Sequence, residues 1–427
     1  MDLNKIKLST SRYFIGLSSF QSLIMFRRGL FYTYLSIYMR DFLQLSVTAT
    51  TLYATLPMIV SVLMQNFIWG PLSDKLQKRR TFIILGEILA GIGTISVWGV
   101  HFLVSNLLIA GYIIIIGLSC TEAFWGMSNI GWTALISDLY PSEKRSKIMG
   151  QLSSIGGLGR IIGITIGGFL YDGGWGFRNG LLFFAASFVM FISTIPMLFA
   201  PEGGINVPEL KKESQLKNTI NNNLTTRLKL IFFIFIISLV FINFGRNSIS
   251  VTYSQFLILD SSFNVDSILL SFITNTRSLA VLSIGLLVGA LSKRIGYAYT
   301  LISGTLIAII ALLMTALTNS LFFIFVGSFL IGTGEVIIYS SSYSIASNLI
   351  PKKIRAKLFG VYNTTFFLSW GLAGTIIAGP LIDVLILNGF TEVFSYQMSF
   401  IMAAIITGIG LLIYTLLEFK LRKTEEI

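Results

Sequence analysis

Along this chain, apolar runs of roughly 20 residues alternate with short polar turns, a length that crosses the hydrocarbon of a bilayer as an α-helix. Twelve such runs can be marked, near 14–38, 48–70, 81–103, 106–136, 147–170 and 179–200, then near 229–257, 266–291, 297–317, 320–347, 357–384 and 394–418. Water is absent from the bilayer core, so a spanning backbone must satisfy its own N–H and C=O groups, and runs of this length predict helices. One longer polar stretch interrupts the series between Glu202 and Lys229, with Lys211, Lys212, Glu213 and Asn221 to Asn223. The pattern predicts an all-α membrane protein with twelve transmembrane helices. They divide into an N-terminal six-helix bundle over 1–200, a cytoplasmic linker over 201–228 and a C-terminal six-helix bundle over 229–427.

The turns between runs repeat. Gly70-Pro71-Leu72-Ser73-Asp74-Lys75-Leu76-Gln77-Lys78-Arg79-Arg80 is echoed by Gly289-Ala290-Leu291-Ser292-Lys293-Arg294-Ile295-Gly296, an offset of 219 positions (from 70 to 289). At that same offset Arg27 matches Arg246, Tyr34 matches Tyr253 and Asp41 matches Asp260. Later in each half, Pro141, Arg145, Lys147 and Gly150 match Pro351, Arg355, Lys357 and Gly360, and Gly168, Leu170 and Asp172 match Gly379, Leu381 and Asp383. The halves run in the same direction, as parallel repeats related by an axis along the membrane normal, a construction that many transporters use.

Composition agrees. Of 427 residues 54% are hydrophobic and only 12% charged, with a mean hydropathy of +0.79, about half the charged fraction of a soluble domain. The formal net charge of +12 is placed by topology. Cations crowd alternate turns (Lys75 to Arg80, Lys144 to Lys147, Lys211 to Lys229, Lys293-Arg294, Lys352 to Lys357 and the tail from Lys420) and leave the others, around Ser105, Ser261, Asn319 and Asn388, almost empty. That asymmetry puts both termini in the cytoplasm and excludes nucleic acid as the reason for the charge. Cys120 is a single cysteine inside an apolar run, so no intramolecular disulfide is expected. The polar first twelve residues followed by a long span from Tyr13 do not read as a cleaved signal peptide. No P-loop, metal-ligand cluster or nucleophile–base set is present, which argues against an enzyme, a resident metal or a cofactor.

On these residues the chain resembles the major facilitator superfamily over nearly its whole length. Gly70, Asp74, Lys75, Lys78 and Arg79 match the family's cytoplasmic loop motif, with Gln77 where a second glycine is usual. The stretch Asp138-Leu139-Tyr140-Pro141-Ser142-Glu143-Lys144-Arg145, closing at Gly150, resembles the loop after the fourth helix. The resemblance implies a gating latch: Asp74 as the acid, with Lys75, Lys78, Arg79 and Arg145 as partners and Gly70 in the turn. Lys293 stands where the second copy would carry its acid, so the second latch is expected to be weak or reversed. The run Gly159-Arg160-Ile161-Ile162-Gly163-Ile164-Thr165-Ile166-Gly167-Gly168 looks like the fifth-helix motif of drug–proton antiporters, with Ile164 in place of its proline. Small residues four apart also serve close helix packing.

Ionisable residues far from the span ends carry the functional expectation. Arg27 and Arg28 fall in the first span, Glu87 in the third, Glu122 in the fourth, Arg160 in the fifth, Arg246 in the seventh, Arg277 in the eighth and Glu335 in the tenth. A charge at the bilayer centre costs on the order of 2.5–3.5 kcal/mol on insertion scales, so these groups are expected to face protein or a wet cavity. Arg27 with Tyr34, and Arg246 with Tyr253, stand seven apart, on one face of a continuous helix. The resemblance implies that the first, fourth, seventh and tenth helices line one pathway. It makes Arg27, Arg28, Tyr34, Arg246, Tyr253 and Arg277 the substrate-binding candidates and Glu122 and Glu335 the proton-coupling ones. Which of Arg27 and Arg28 faces the cavity stays open at this point. His101, at the outer end of the third span, reads as interfacial, and Trp125, Trp132, Tyr339, Tyr343 and Trp370 offer rings for packing or stacking.

These readings imply a secondary active transporter of a small solute in the cell membrane, working by alternating access and coupled to protons, as a monomer in the lipid bilayer. The surplus of arginine over glutamate in the spans favours an organic anion, since a guanidinium offers carboxylate or phosphate two parallel donors. The alternatives are a proton antiporter of drugs and other amphipathic compounds and, less favoured, a transport-inactive membrane sensor.

Overall fold

Proline and short polar side chains punctuate the helices more than apolar length alone predicts. The computed structural model describes residues 3–140, 142–204, 226–350 and 355–425. Its helices are α1 (Leu3–Ile37), α2 (Val47–Met64), α3 (Gly70–Leu76), α4 (Arg79–Leu103), α5 (Leu107–Leu139), α6 (Ser142–Tyr171), α7 (Trp175–Arg178) and α8 (Leu181–Met197). They continue with α9 (Thr226–Asn247), α10 (Thr252–Ile258), α11 (Ser267–Ile295), α12 (Tyr297–Leu317), α13 (Leu321–Leu349), α14 (Arg355–Ala373), α15 (Gly379–Leu387) and α16 (Glu392–Glu425). The described residues contain no strand.

Among the described residues, ten helical stretches, counting those that continue through a π-segment or a short break as one, are long and apolar enough to cross a membrane: Val47–Leu76, Arg79–Leu103, Leu107–Leu139, Gln151–Arg178, Leu228–Ile258, Ser267–Ile295, Tyr297–Leu317, Leu321–Leu349, Val361–Leu387 and Glu392–Leu421. They fall on ten of the expected spans; α1 and the shorter apolar helix α8 lie where the first and sixth were expected. The expected linker lies largely outside the described residues, in 205–225.

By contact the chain divides into two compact units, one of Met1–Leu45 with Leu56–Thr219 and one of Ser46–Thr55 with Ile220–Ile427. In the first, α1 packs along α6 and α8, and α4 along α5 and α8. The α1–α6 seam explains the glycine run: a Cβ on Gly159, Gly163 or Gly167 would overlap the carbonyls of Ser22, Phe26 or Leu30, so the three glycines let the two backbones touch. The core beside it is built on Leu17, Phe20, Ile83 and Trp132, with the Phe20 and Trp132 rings 5.1 Å apart. In the second unit, α9 packs on α14 and α16, and α13 on α11 and α12, around Phe235, Leu239, Ile242, Tyr362 and Tyr414.

One expectation changes here. The seventh span is not a continuous helix: α9 stops at Asn247 and α10 begins at Thr252, with a turn between. Short polar side chains compete for the backbone at the break. Ser248 Oγ donates to Gly245 O (2.7 Å), and Asn247 Nδ2 donates to Ser369 Oγ (2.8 Å). Arg246 and Tyr253 therefore lie on opposite sides of a break, and the one-face argument that joins Arg27 to Tyr34 does not carry over to them.

Candidate functional site

The first unit sets two arginines over one indole ring and holds two glutamates in the helices α4 and α5. Arg27 and Arg28 of α1 lie over Trp125 of α5, with guanidinium carbons 5.6 and 4.5 Å from the ring centroid. Glu122 stands three residues before Trp125, on the same face of α5. Glu87 of α4 is fully buried and accepts Ser128 Oγ at 2.8 Å. Glu87 Oε2 and Arg27 Nε are buried without a hydrogen-bond partner, and among the described residues none of the four charges forms an ion pair within 4.0 Å. Two positives and two negatives balance through space rather than by direct contact. A polar ladder leads away from Ser61: Gln65 Nε2 donates to Ser61 Oγ (2.7 Å) and Asn129 Nδ2 to Gln65 Oε1 (3.2 Å). Sequence reasoning did not find Ser61, Gln65 or Asn129, because uncharged polar residues scattered over two spans have no pattern of their own.

The second unit is arranged differently. Arg277 of α11 grips a single oxygen of Glu335 of α13, with Nε at 2.9 Å and Nη2 at 2.7 Å from Oε2. Both side chains are mostly enclosed, 23% and 20% exposed. Arg246 of α9 donates through Nε to the neutral Asn243 Oδ1 (3.1 Å), and Asn243 Nδ2 reaches Thr365 Oγ1 (3.3 Å). Among the described residues Arg246 has no carboxylate within ion-pair distance.

The two tyrosines are both buried. Tyr34 is completely buried in the α1–α6 seam, where it donates to Ile164 O at 2.8 Å and stacks on Tyr171. Tyr253 is 8% exposed and lies against Phe400. His101 is not interfacial: it is fully enclosed, with Nε2 2.9 Å from Tyr38 Oη and Nδ1 3.0 Å from Trp98 O. The structure puts Trp125 beneath the arginines and packs Trp132 on Phe20, while Tyr339, Tyr343 and Trp370 are exposed.

At the polar turn after α3, Arg79 is the hub. Its guanidinium reaches Ser73 Oγ (2.6 Å), Asp74 Oδ1 (3.1 Å) and Asp138 Oδ2 (3.3 Å), and Asp138 also accepts Gly204 N–H (2.9 Å). Arg79 is thus the observed partner of Asp74, and Lys75 and Lys78 are exposed. The Arg145 side chain lies outside the described residues. Gln77 sits at φ 54°, the left-handed conformation that explains a glycine at this place in the motif. Its side chain offsets part of the strain by donating to Asp74 O (2.6 Å). Glu202 holds the start of α4, accepting Thr81 N–H (2.9 Å) and pairing with Arg80 (3.2 Å).

Comparison with known proteins agrees with this architecture. The family model described as Major Facilitator Superfamily matches residues 17–374 and 235–426. The chain is 26% identical over 374 residues to the quinolone resistance protein NorA of Staphylococcus aureus, covering 83% of this chain and 86% of that protein. It is 26% identical over 250 residues to the multidrug resistance protein MdtG of Klebsiella pneumoniae, covering 58% of this chain and 59% of that one. Among solved structures, a bacterial homolog of the human lysosomal transporter Spinster aligns with a TM-score of 0.72 at 17% identity, over 96% of both chains. The nucleoside transporter NupG aligns with a TM-score of 0.69 at 14% identity, over 95% of this chain and 98% of that one. With helices of membrane-crossing length and a family model matched along most of its sequence, this chain belongs to the Major Facilitator Superfamily and is a multi-span membrane transporter.

Proposed function

We propose that the chain exports drug-like amphipathic solutes in exchange for protons. It works by alternating access of two six-helix bundles, 1–200 and 229–427, joined by the linker, with twelve spans and both termini in the cytoplasm, as a monomer. The observation that carries this reading is the likeness to NorA, a quinolone resistance protein, over most of both chains. The arrangement of charge supports it. An anion carrier needs guanidinium donors left open for its cargo, and Arg277 is spent on Glu335. The Trp125 face beneath Arg28 suits an aromatic or cationic solute that displaces the guanidinium.

Glu122 is the coupling carboxylate in this account. It can take a proton without a direct ion pair being pulled apart, while Glu335 must first give up two N–H donors. A second reading, a small organic anion, is favoured by Arg246, whose side chain rests on a neutral asparagine. Everted membrane vesicles with an imposed acid interior separate the two. The account predicts that a fluorescent quinolone or ethidium accumulates at least about fivefold above vesicles lacking the protein. Accumulation of labelled organic anions with no dye movement would replace the first reading with the second.

A further inference from the structure

The sequence Gly-Pro-Leu-x-Asp occurs twice, at Gly70–Asp74 and at Gly379–Asp383. Each copy follows a five-residue π-segment, Gln65–Trp69 in one case and Gly374–Ala378 in the other. Proline has no N–H and crowds the carbonyl four residues back, so a helix that widens by one residue just before it escapes the clash. The Gly70 N–H accordingly bonds to Gln65 O, and the Gly379 N–H to Gly374 O. The two segments are one local structure, each presenting an aspartate three residues beyond the proline.

The acids do different things. Asp74 is 77% exposed and pairs with Arg79. Asp383 straddles the start of α2, where Oδ1 accepts Val47 N–H at 2.9 Å and Oδ2 accepts Thr48 N–H at 2.8 Å. Two of the orphan donors of that helix end are satisfied by one carboxylate, and the helix dipole adds to the attraction. Contact continues along α2. Thr51 Oγ1 and Thr55 Oγ1 meet Thr375 Oγ1 at 2.8 and 2.7 Å, and Thr55 also bonds to Gly371 O. Gln255 Nε2 donates to Thr50 Oγ1 at 3.0 Å. The close approach needs glycine, since a Cβ at Gly379 would stand 2.8 Å from Thr48 Cα. These bonds keep Ser46–Thr55 in the second compact unit, although the same helix belongs to the first from Leu56 onward.

We propose that Asp383 is a gating residue of the transport cycle: its carboxylate latches the N-terminus of α2 and must release it for the carrier to turn over. The chemistry suits a contact made and broken repeatedly. Hydroxyls, an amide and a carboxylate hold it, with Ser46 exposed beside it, so water replaces these partners on separation and each bond is worth only about 1 kcal/mol net. The second copy of the loop motif carries Lys293 in place of the acid, so Asp383 belongs to a different place in the repeat. The inference rests on the chain being a transporter and not on what it carries.

A cross-link tests it. In a Cys120→Ser background, Thr51→Cys with Thr375→Cys replaces a hydroxyl pair 2.8 Å apart by a thiol pair able to form a disulfide. Oxidation is expected to cut transport at least tenfold and reductant to restore it; full transport by quantitatively cross-linked protein would overturn the latch. A second readout needs no substrate. Thr51→Cys alone is expected to react with N-ethylmaleimide at least threefold faster when Asp383→Ala is added, and an unchanged rate in folded protein would also overturn it. If the reduced double-cysteine protein moves no dye or drug, the export reading fails while the labelling rates still decide the latch.

Discussion

The two units handle buried charge in opposite ways. In the first, Arg27 and Arg28 lie over Trp125, and among the described residues neither they nor Glu87 and Glu122 form a direct ion pair, while Arg27 Nε and Glu87 Oε2 have no partner. In the second, Arg277 and Glu335 are clamped through two hydrogen bonds to one oxygen. A clamped pair fixes geometry, and removing one member leaves the other uncompensated in a poor solvent for charge. A loose cluster can change its protonation with little rearrangement. Duplication copied the helices, and the buried charges then diverged, loosely grouped in one half and clamped in the other.

The largest expected effect breaks the clamp. Glu335→Gln leaves the Arg277 guanidinium without its counter-charge, and it is expected to cost on the order of 2 kcal/mol, read as a drop of several degrees in Tm in detergent. The double variant Glu335→Gln with Arg277→Met should recover most of that loss. Equal instability of the single and double variants would show that the pair is not a unit. The smallest effect sharpens the other side. Glu87→Gln keeps the bond from Ser128 Oγ and removes an oxygen that already lacks a partner, so it is expected to change stability by less than about 0.5 kcal/mol. A drop as large as that of Glu335→Gln would erase the contrast between the units.

Much of this was legible in the residues, because the bilayer leaves few choices. Long apolar runs had to be helices, and ten of them appear where hydropathy put them. The glycine run pointed to close packing, and it is the seam along which α1 meets α6. The partners of the charges were less legible. Arg27 and Arg28 are adjacent in sequence, and only the packing of α1 against α5 brings both over the Trp125 ring. The break after Asn247 was hidden because Ser248 acts there through a hydrogen bond to Gly245 O that hydropathy does not weigh. Asp383 was visible as one member of a repeat pair, but aligned with Asp172. The Gly-Pro-Leu-x-Asp match to Gly70–Asp74 joins segments that are not equivalent in the two halves, so a search at the repeat offset passes over it.

The most direct test of the account compares Glu122→Gln with Glu335→Gln in proteoliposomes, measuring uphill dye transport driven by a pH gradient beside downhill equilibration without one. The account predicts that Glu122→Gln loses gradient-driven accumulation at least tenfold while still equilibrating the dye, and that Glu335→Gln, once corrected for folded protein, keeps accumulation. Accumulation that survives Glu122→Gln and disappears with Glu335→Gln would contradict it and place the coupling in the clamped pair.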